Sequence, residues 1–373
     1  MADLGTAKIS EKIKFRRNRL LALVRRSGTI GRLKLARSLR MSNSRVCQLV
    51  QEMLDHGLLL EELTGTTRRG RRPVPLRINP DYAYMLGLDF EAKRMRLVAV
   101  DLAGHLVWQY QQPLGPVADR AELIHRLLDM IDRGIAEVRA RGRPLLGVGV
   151  AAPGIIDRRT GTIVHHDFID AARNVPLRDL VATHTGLPCA VDNNIRACAL
   201  TEWMSGAAQH LETFICLAVR SGVGAAIMHR GQLWDGSHGL SGEGGYIPVP
   251  DSRPASRWKR LHELVSEHAL GIDAESEPSG LSESRAQRAG EWVGAQLAAL
   301  ANVLDPQAIV LAGRLIQPDG PLWPALERTY RRFLLPDLAD RVQLLPSRAG
   351  PFAAAIGAAH RCFQLLFPVG AGA

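Results

Sequence analysis

No stretch of the 373 residues is apolar for long enough to span a bilayer: the longest runs fall short of the roughly 18–20 residues a membrane helix needs. Met1 to Arg19 carries charges where a secretory leader would need an apolar segment, so the chain is expected to be soluble and cytoplasmic, with no membrane partner. Cys-x-x-Cys pairs are absent. The five cysteines (Cys47, Cys189, Cys198, Cys216 and Cys362) are scattered and odd in number, which fits buried reduced thiols rather than a disulfide frame or a zinc knuckle. Aromatic residues are scarce, at 5%, so a core drawn from the 46% hydrophobic content should be mostly Leu, Ile, Val and Ala.

Acidic residues are what the N-terminal fifth lacks. Residues 1–80 hold 18 lysines and arginines against 6 acids, whereas the remainder holds 29 against 31. The whole positive excess therefore sits in one short region. A solvated basic face could look like this, but so lopsided a chain points to a polyanion-binding module joined to a nearly neutral body. The length suits two or three domains.

Within the basic region, Leu20, Leu21, Leu23 and Val24 form the apolar face of a helix over Phe15 to Arg26, stopped at Ser27-Gly28. A second helix is expected over Leu33 to Arg40. Ser42 then caps a third, whose stripe Val46, Leu49, Val50, Met53 and Leu54 has helical spacing. Its other face shows Asn43, Ser44, Cys47, Gln48 and Gln51, with Arg45 at its start. Leu58 to Leu63 and Leu76 to Ile78 read as two strands. Three helices and a two-stranded wing make a winged helix-turn-helix over residues 1–80, all-α apart from its small β wing. Its third helix is suited to the major groove of double-stranded DNA, with Ser42, Asn43, Ser44, Arg45 and Gln48 nearest the bases. Taken singly, the serines could be mere caps and the glutamines mere surface. The exit, residues 68–80, is an arginine-rich hinge. Arg69, Arg71 and Arg72 beside Gly70 suit phosphates or a narrow minor groove, while a flexible basic linker is the plainer alternative.

Beyond the hinge, apolar runs at Met85 to Asp89, Met95 to Asp101 and His105 to Gln111 read as a strand meander, followed by a helix over Arg120 to Arg141. Strands are expected at Leu145 to Ala151, Leu187 to Val191, Phe214 to Val219, Ala225 to His229 and Ala308 to Leu311. Helices are expected at Asp192 to Glu202, Ser256 to Ala269, Ser282 to Leu304 and Phe352 to Leu366. Asp273 to Ser284 reads as an exposed loop. Meanders, crossover helices and glycine-rich turns at strand ends fit a two-lobed α/β fold with a cleft over residues 81–373. No short internal repeat is visible.

Several segments fall in a telling order: Leu86-Gly87-Leu88-Asp89, Val148 to Gly154, Asn174-Val175-Pro176-Leu177, Asp192 to Glu202, Gly222-Val223-Gly224, Gly242-Glu243-Gly244-Gly245 and Leu311-Ala312-Gly313. With the N-terminal module and the Gly-Arg-Arg-Pro hinge, this ordered set resembles the ROK family of repressors, open reading frames and sugar kinases, in its helix-turn-helix-bearing repressor branch. The resemblance covers nearly the whole chain. It implies an actin-like ATPase (ribonuclease H-like) fold, a sugar-binding cleft, and a homodimer or homotetramer.

The departures from the family pattern bear on chemistry. Its first phosphate loop, Asp-x-Gly-Gly-Thr, is replaced by Asp89-Phe90-Glu91-Ala92-Lys93, which loses both glycines and the threonine and puts a carboxylate where a polyanion would sit. Its catalytic Asn-Asp pair is Asn193-Asn194 here, and an amide cannot take a proton from a sugar hydroxyl. Its zinc-binding His is Tyr246, and Ser252 to His262 holds no cysteine, so no metal is expected. In the second phosphate turn Arg220 replaces a glycine, the one change that could favour a nucleotide. No catalytic residue and no cofactor are therefore assigned. By motif position Asn193, Asn194 and Glu243 should face the cleft, with Tyr246 in place of a hydroxyl-binding histidine and Glu263 as the later family glutamate.

The expectation is a transcriptional regulator, a repressor, bound to a near-palindromic operator and answering to a carbohydrate-type effector that it does not phosphorylate. Two rivals stay open: a DNA-binding scaffold that is constitutive or controlled by a protein partner, and an active ATP-dependent sugar kinase with an appended DNA-binding module.

Overall fold

The computed structural model describes residues 11–62, 74–166, 169–250, 258–272 and 281–369. It opens with three helices, α1 (Glu11–Ser27), α2 (Arg32–Leu39) and α3 (Asn43–Asp55), and an antiparallel ribbon of β1 (Leu59–Glu61) and β2 (Leu76–Ile78). Ser42 starts α3 as expected of a cap: its backbone is extended and its hydroxyl accepts from the Arg45 amide at 3.3 Å. Val46, Leu49, Val50 and Met53 are buried. They pack with Leu20, Leu21 and Val24 of α1 and with Leu59, Leu76 and Ile78 of the ribbon.

A meander follows, of β3 (Tyr84–Phe90), β4 (Arg94–Asp101) and β5 (Leu106–Pro113), and then α4 (Arg120–Ala140), which Asp119 caps through the Glu122 amide at 2.9 Å. Next come β6 (Leu145–Ala152), a hairpin of β7 (Ile155–Asp157) and β8 (Thr162–His165), α5 (Leu177–Thr185), β9 (Cys189–Asn193) and α6 (Asn194–Ser205). The second half begins with β10 (Phe214–Val219), β11 (Val223–His229) and β12 (Gln232–Leu233). After these lie a small ribbon of β13 (Pro248–Pro250) and β14 (Trp258–Arg260), α7 (His262–Val265), α8 (Glu267–Leu270) and α9 (Glu283–Leu304). The chain closes with β15 (Ala308–Ala312), α10 (Trp323–Phe333), β16 (Gln343–Pro346) and α11 (Ala353–Leu366).

Two five-stranded sheets dominate, in the orders β5-β4-β3-β6-β9 and β12-β11-β10-β15-β16. Each is an antiparallel meander whose first strand also pairs in parallel with a strand reached by a crossover containing a helix. The two halves thus share one strand order. Between the sheets lie α6 and α11, joined through alanines. A helix rich in small residues can sit directly on a sheet only where the strands offer no side chain. Gly87 of β3 and Gly149 of β6 provide that: a Cβ on either would overlap the carbonyl of Ala355 or Ala358 in α11.

The N-terminal helices do not stand apart from this body. Their core continues into Met85, Val98 and Val100 of the first sheet and into Ala355, Ala359 and Phe363 of α11. Asn18 of α1 also donates to the Pro368 carbonyl at 3.1 Å.

One expected element is different. Instead of a single helix over Ser256 to Ala269, residues 258–260 form β14, and two short helices follow; residues 251–257 lie outside the described residues. Ser266 causes the break. It is extended (φ −59°, ψ 156°), its hydroxyl donates to the His262 carbonyl at 2.7 Å, and the same oxygen accepts from the Ala269 amide at 3.1 Å. It ends one helix and caps the next. Of the expected loop at 273–284, residues 273–280 lie outside the described residues, and Glu283 begins α9.

Candidate functional site

A cleft of about 100 Å³ lies between the two sheets, where β6 ends, α6 begins and the β10–β11 turn comes across. Asn193, Asn194, Glu243 and Tyr246 line it. Glu263 does not: it is exposed on α7, and the preceding residue, His262, is buried and turned to the cleft instead.

The two asparagines do different work. The Asn193 carbonyl oxygen caps α6, accepting from Ile195 N at 2.8 Å and Arg196 N at 3.3 Å, while its amide donates to the Gly154 carbonyl at 3.0 Å. It therefore holds the cleft's shape, with little capacity left for a ligand. Among the described residues, no hydrogen bond within the chain claims the Asn194 side chain, which is 7% exposed and borders the cleft.

Tyr246 meets His262 edge-on, ring centroids 5.1 Å apart, and the Arg260 guanidinium lies 4.7 Å from its ring centroid. These contacts bear on the zinc implied by the resemblance. A phenol under a guanidinium, with no thiol between Ser252 and His262, is not a donor set for that ion.

Reading the chain alone missed the ionic frame behind the cleft. Asp192, fully buried, accepts a hydrogen bond from Arg196 Nε at 2.9 Å and forms an ion pair with Arg361, whose Nε lies 2.9 Å from its other oxygen. Arg196 continues to Asp235 at 2.6 Å, and Arg158 pairs with that same carboxylate. The four-residue spacing of Asp192, at the end of β9, and Arg196, in the first turn of α6, was the only local signal. Asp235 and Arg361 arrive from distant segments.

A second ion cluster joins the two halves. Arg220, on the β10–β11 turn, pairs with Glu91 at the β3–β4 turn and lies 3.5 Å from Asp89. Arg96 reaches Glu91 at 2.6 Å and Asp89 at 3.2 Å. Burial raises the Asp89 pKa to about 6, against the pull of Arg220. Burial would raise Glu91 too, but Arg220 and Arg96 outweigh it and hold its carboxyl below the usual range. Glu91, Arg220 and Ser221 line both the cleft and a neighbouring cavity of about 480 Å³ beside Gly313 and Arg314. The ion pair is the partition between them. It joins the two segments that the resemblance assigns to phosphate binding.

On the N-terminal helices, Ser42, Asn43, Ser44 and Gln48 are exposed and Arg45 is half-buried. Arg45 donates to the Gln48 side-chain oxygen at 2.7 Å, so the two side chains are tied to each other. Lys34, Arg37 and Arg40 of the preceding segment are exposed as well. Arg69, Arg71 and Arg72 lie outside the described residues. Among the described residues, no helix is long and apolar enough to cross a membrane.

Comparison with known proteins gives a consistent result. The model of the ROK family matches residues 85–363. The xylose repressor of Caldicellulosiruptor bescii is 28% identical over 234 residues, which is 62% of this chain and 58% of the repressor; the match thus spans a little over half of that relative. The xylose repressor of Bacillus spizizenii is 25% identical over 357 residues, covering 91% of this chain and 92% of that one. Among solved structures, a ROK family transcriptional regulator described as a homologue of the E. coli MLC protein superposes with a TM-score of 0.78 at 22% identity, covering 95% of this chain and 96% of that one. A ROK family glucokinase from Streptomyces griseus, in complex with glucose and AMPPNP, gives 0.63 at 24% identity, covering 74% of this chain and 98% of the kinase. These likenesses identify the two sheets as the lobes of an actin-like ATPase fold.

Proposed function

This chain belongs to the ROK family, and on that premise we propose that it is a sugar-responsive transcriptional repressor with a winged helix-turn-helix over residues 1–80 and a sensor body over 81–373. The observation that carries this reading is the continuity of one core. Helix α3 presents Ser42, Asn43, Ser44 and Gln48 to solvent while its buried stripe belongs to the cluster that includes α11 and the first sheet. A change in the cleft therefore has a packed route to a polar helix face suited to base edges. The full-length likeness to named repressors supports the same reading.

The body senses a sugar without phosphorylating it. Asn194 stands where the resemblance puts the base, and it has no proton-accepting carboxylate. The Arg220–Glu91 pair joins the segments between which a nucleotide's phosphates would pass. Neither a nucleotide nor a zinc ion fits these residues. At about 100 Å³ the cleft is well below the size of most ligand pockets, roughly 300–1,000 Å³. A sugar would enter by separating the lobes, and its preference for the separated state is what would move the DNA-binding helices. Asn194, Glu243 and Tyr246 are the effector contacts and Asn193 shapes the site. A homodimer or homotetramer on a near-palindromic operator completes the proposal.

The test joins two measurements. DNA is selected from a random pool at moderate salt, and the purified protein is heated with a panel of sugars, amino sugars and sugar phosphates, each with and without MgATP. The expected outcome is a two-fold-symmetric DNA site and a midpoint shift with one sugar that MgATP does not change. A ligand at 100 times its Kd adds roughly 2.7 kcal/mol to the fold it binds. No selected sequence would refute the DNA-binding half, and sugar-dependent ATP turnover would refute the sensor half.

A further inference from the structure

We propose that a second binding site, for an amphipathic anion, lies at the joint between the DNA-binding helices and the sensor body. A half-open cavity of about 590 Å³ is bordered there by α1, α2, α6, α11 and the β11–β12 turn. Its size is that of a small-molecule pocket. Its walls are of two kinds. Leu23, Leu200, Trp203, Phe363 and Phe367 make an apolar lining, and six arginines stand among them.

The charges do not cancel. Among the described residues, Asp235 is the one carboxylate in the lining, and Arg196 and Arg158 already hold it. Arg196 and Arg361 are engaged with Asp192. Among the described residues, four of these cations are in no ion pair: Arg19, Arg25, Arg26 and Arg230. Arg25 is the most telling. It is 7% exposed, its guanidinium stacks 4.1 Å from the Phe363 ring centroid, and among the described residues its Nε and Nη2 have no hydrogen-bond partner. Burial lowers its pKa to about 9, with Asp101 opposing, so it stays charged at neutral pH. Nε and Nη2 are shielded from solvent, so the Arg25 charge acts on the cavity through space, while Arg19, Arg26 and Arg230 are the groups that could meet an anion directly. Arg26 lies over the Trp203 ring at 4.5 Å, so it too is held at the cavity.

A neutral sugar would leave these cations unanswered. A carboxylate or phosphate monoester on an apolar body would meet both the arginines and the lining. Such a ligand would report in two directions. It would touch α1, which carries the DNA-binding module, and Arg196, which also borders the sugar cleft. The site is therefore placed for a second input, chemically distinct from the first.

Isothermal titration of the full chain with octanoate, octyl phosphate and neutral octanol tests this. The expected result is saturable binding of at least one anion, with octanol about ten-fold weaker or more, the effect of one charge-assisted hydrogen bond. The tighter of the two anions identifies the headgroup. R25M should reduce the preference for the anion. Because that side chain is buried and its loss could unfold the joint, R230E, on an exposed turn, is measured beside it and should weaken the anion about ten-fold while leaving octanol unchanged. Equal binding of octanol and the anions, unchanged anion affinity in R230E, or no binding of either anion would overturn the proposal. The sugar screen reads the cleft separately, so either site can fail alone.

Discussion

Arg220→Ala is the substitution that most directly tests how the lobes are held. Arg220 is 15% exposed, pairs with Glu91 and lies 3.5 Å from Asp89. Removing one partner of a buried pair costs about 3–5 kcal/mol, because a charge is left behind without its counterion. Here Arg96 stays at 2.6 Å from Glu91 and 3.2 Å from Asp89, so a smaller loss of about 2–3 kcal/mol is expected. For a body of this size that corresponds to a midpoint drop of about 4–12 °C. The assay is urea denaturation of the wild type, Arg220→Ala, Glu91→Gln and the double variant. The double variant should be less destabilised than the sum of the singles, with a coupling energy of about 1–3 kcal/mol. The same Arg220→Ala protein should bind its sugar more tightly, because a bridge that opposes lobe separation is gone. A coupling energy below about 0.5 kcal/mol would show that solvent screens the two charges, and the reasoning about the partition would fail.

Three further outcomes are expected. Asp89, with a pKa of about 6 in the fold against an ordinary 3.8, keeps a proton that the unfolded chain has released between those values. Its contribution to stability is greatest at low pH and declines as pH rises toward 6, by up to about 3 kcal/mol. Asp89→Asn should remove this component, so the difference between the two urea-midpoint profiles should follow that window; parallel profiles would refute it. Cys47 is exposed on α3 beside Gln48, whereas Cys189, Cys198, Cys216 and Cys362 are buried, and burial raises the thiols of Cys189, Cys198 and Cys362 to about 12. A maleimide should therefore modify Cys47 first, block DNA binding, and be excluded by bound DNA; labelling that leaves DNA affinity intact would remove this face of α3 from the interface. Gly149→Ala would drive a methyl into the Ala358 carbonyl and should destabilise by about 1–3 kcal/mol or more in urea; an unchanged midpoint would mean that α11 can slide.

Local pattern made most of the elements legible. The spacing of Val46, Leu49, Val50 and Met53 marked α3, and Ser42 marked its start, because capping and amphipathicity act within a few residues. The short β7, β8 and β16, and α5 and α10, were not read, and Ser266 split an expected helix through side-chain bonds that composition does not reveal. Asn193 shows the same limit within the cleft. Motif position placed it there, but only the fold shows its amide oxygen engaged at the start of α6. His262, rather than the Glu263 beside it, reaches the cleft because one step along a helix turns a side chain by about 100°.

By itself the chain determined the concentration of positive charge in residues 1–80, the spacing that marks the helices there, and the residue types within the motifs that carry the family resemblance. These follow from composition, short-range periodicity and the order of motifs. Tertiary structure alone decided that the two sheets share one strand order, that Arg220 meets Glu91 across 129 residues of chain, and that six arginines gather around one cavity at the joint. The reason is physical. Charges and sheet neighbours interact through space, and the distances that set their energies are fixed only when remote segments pack.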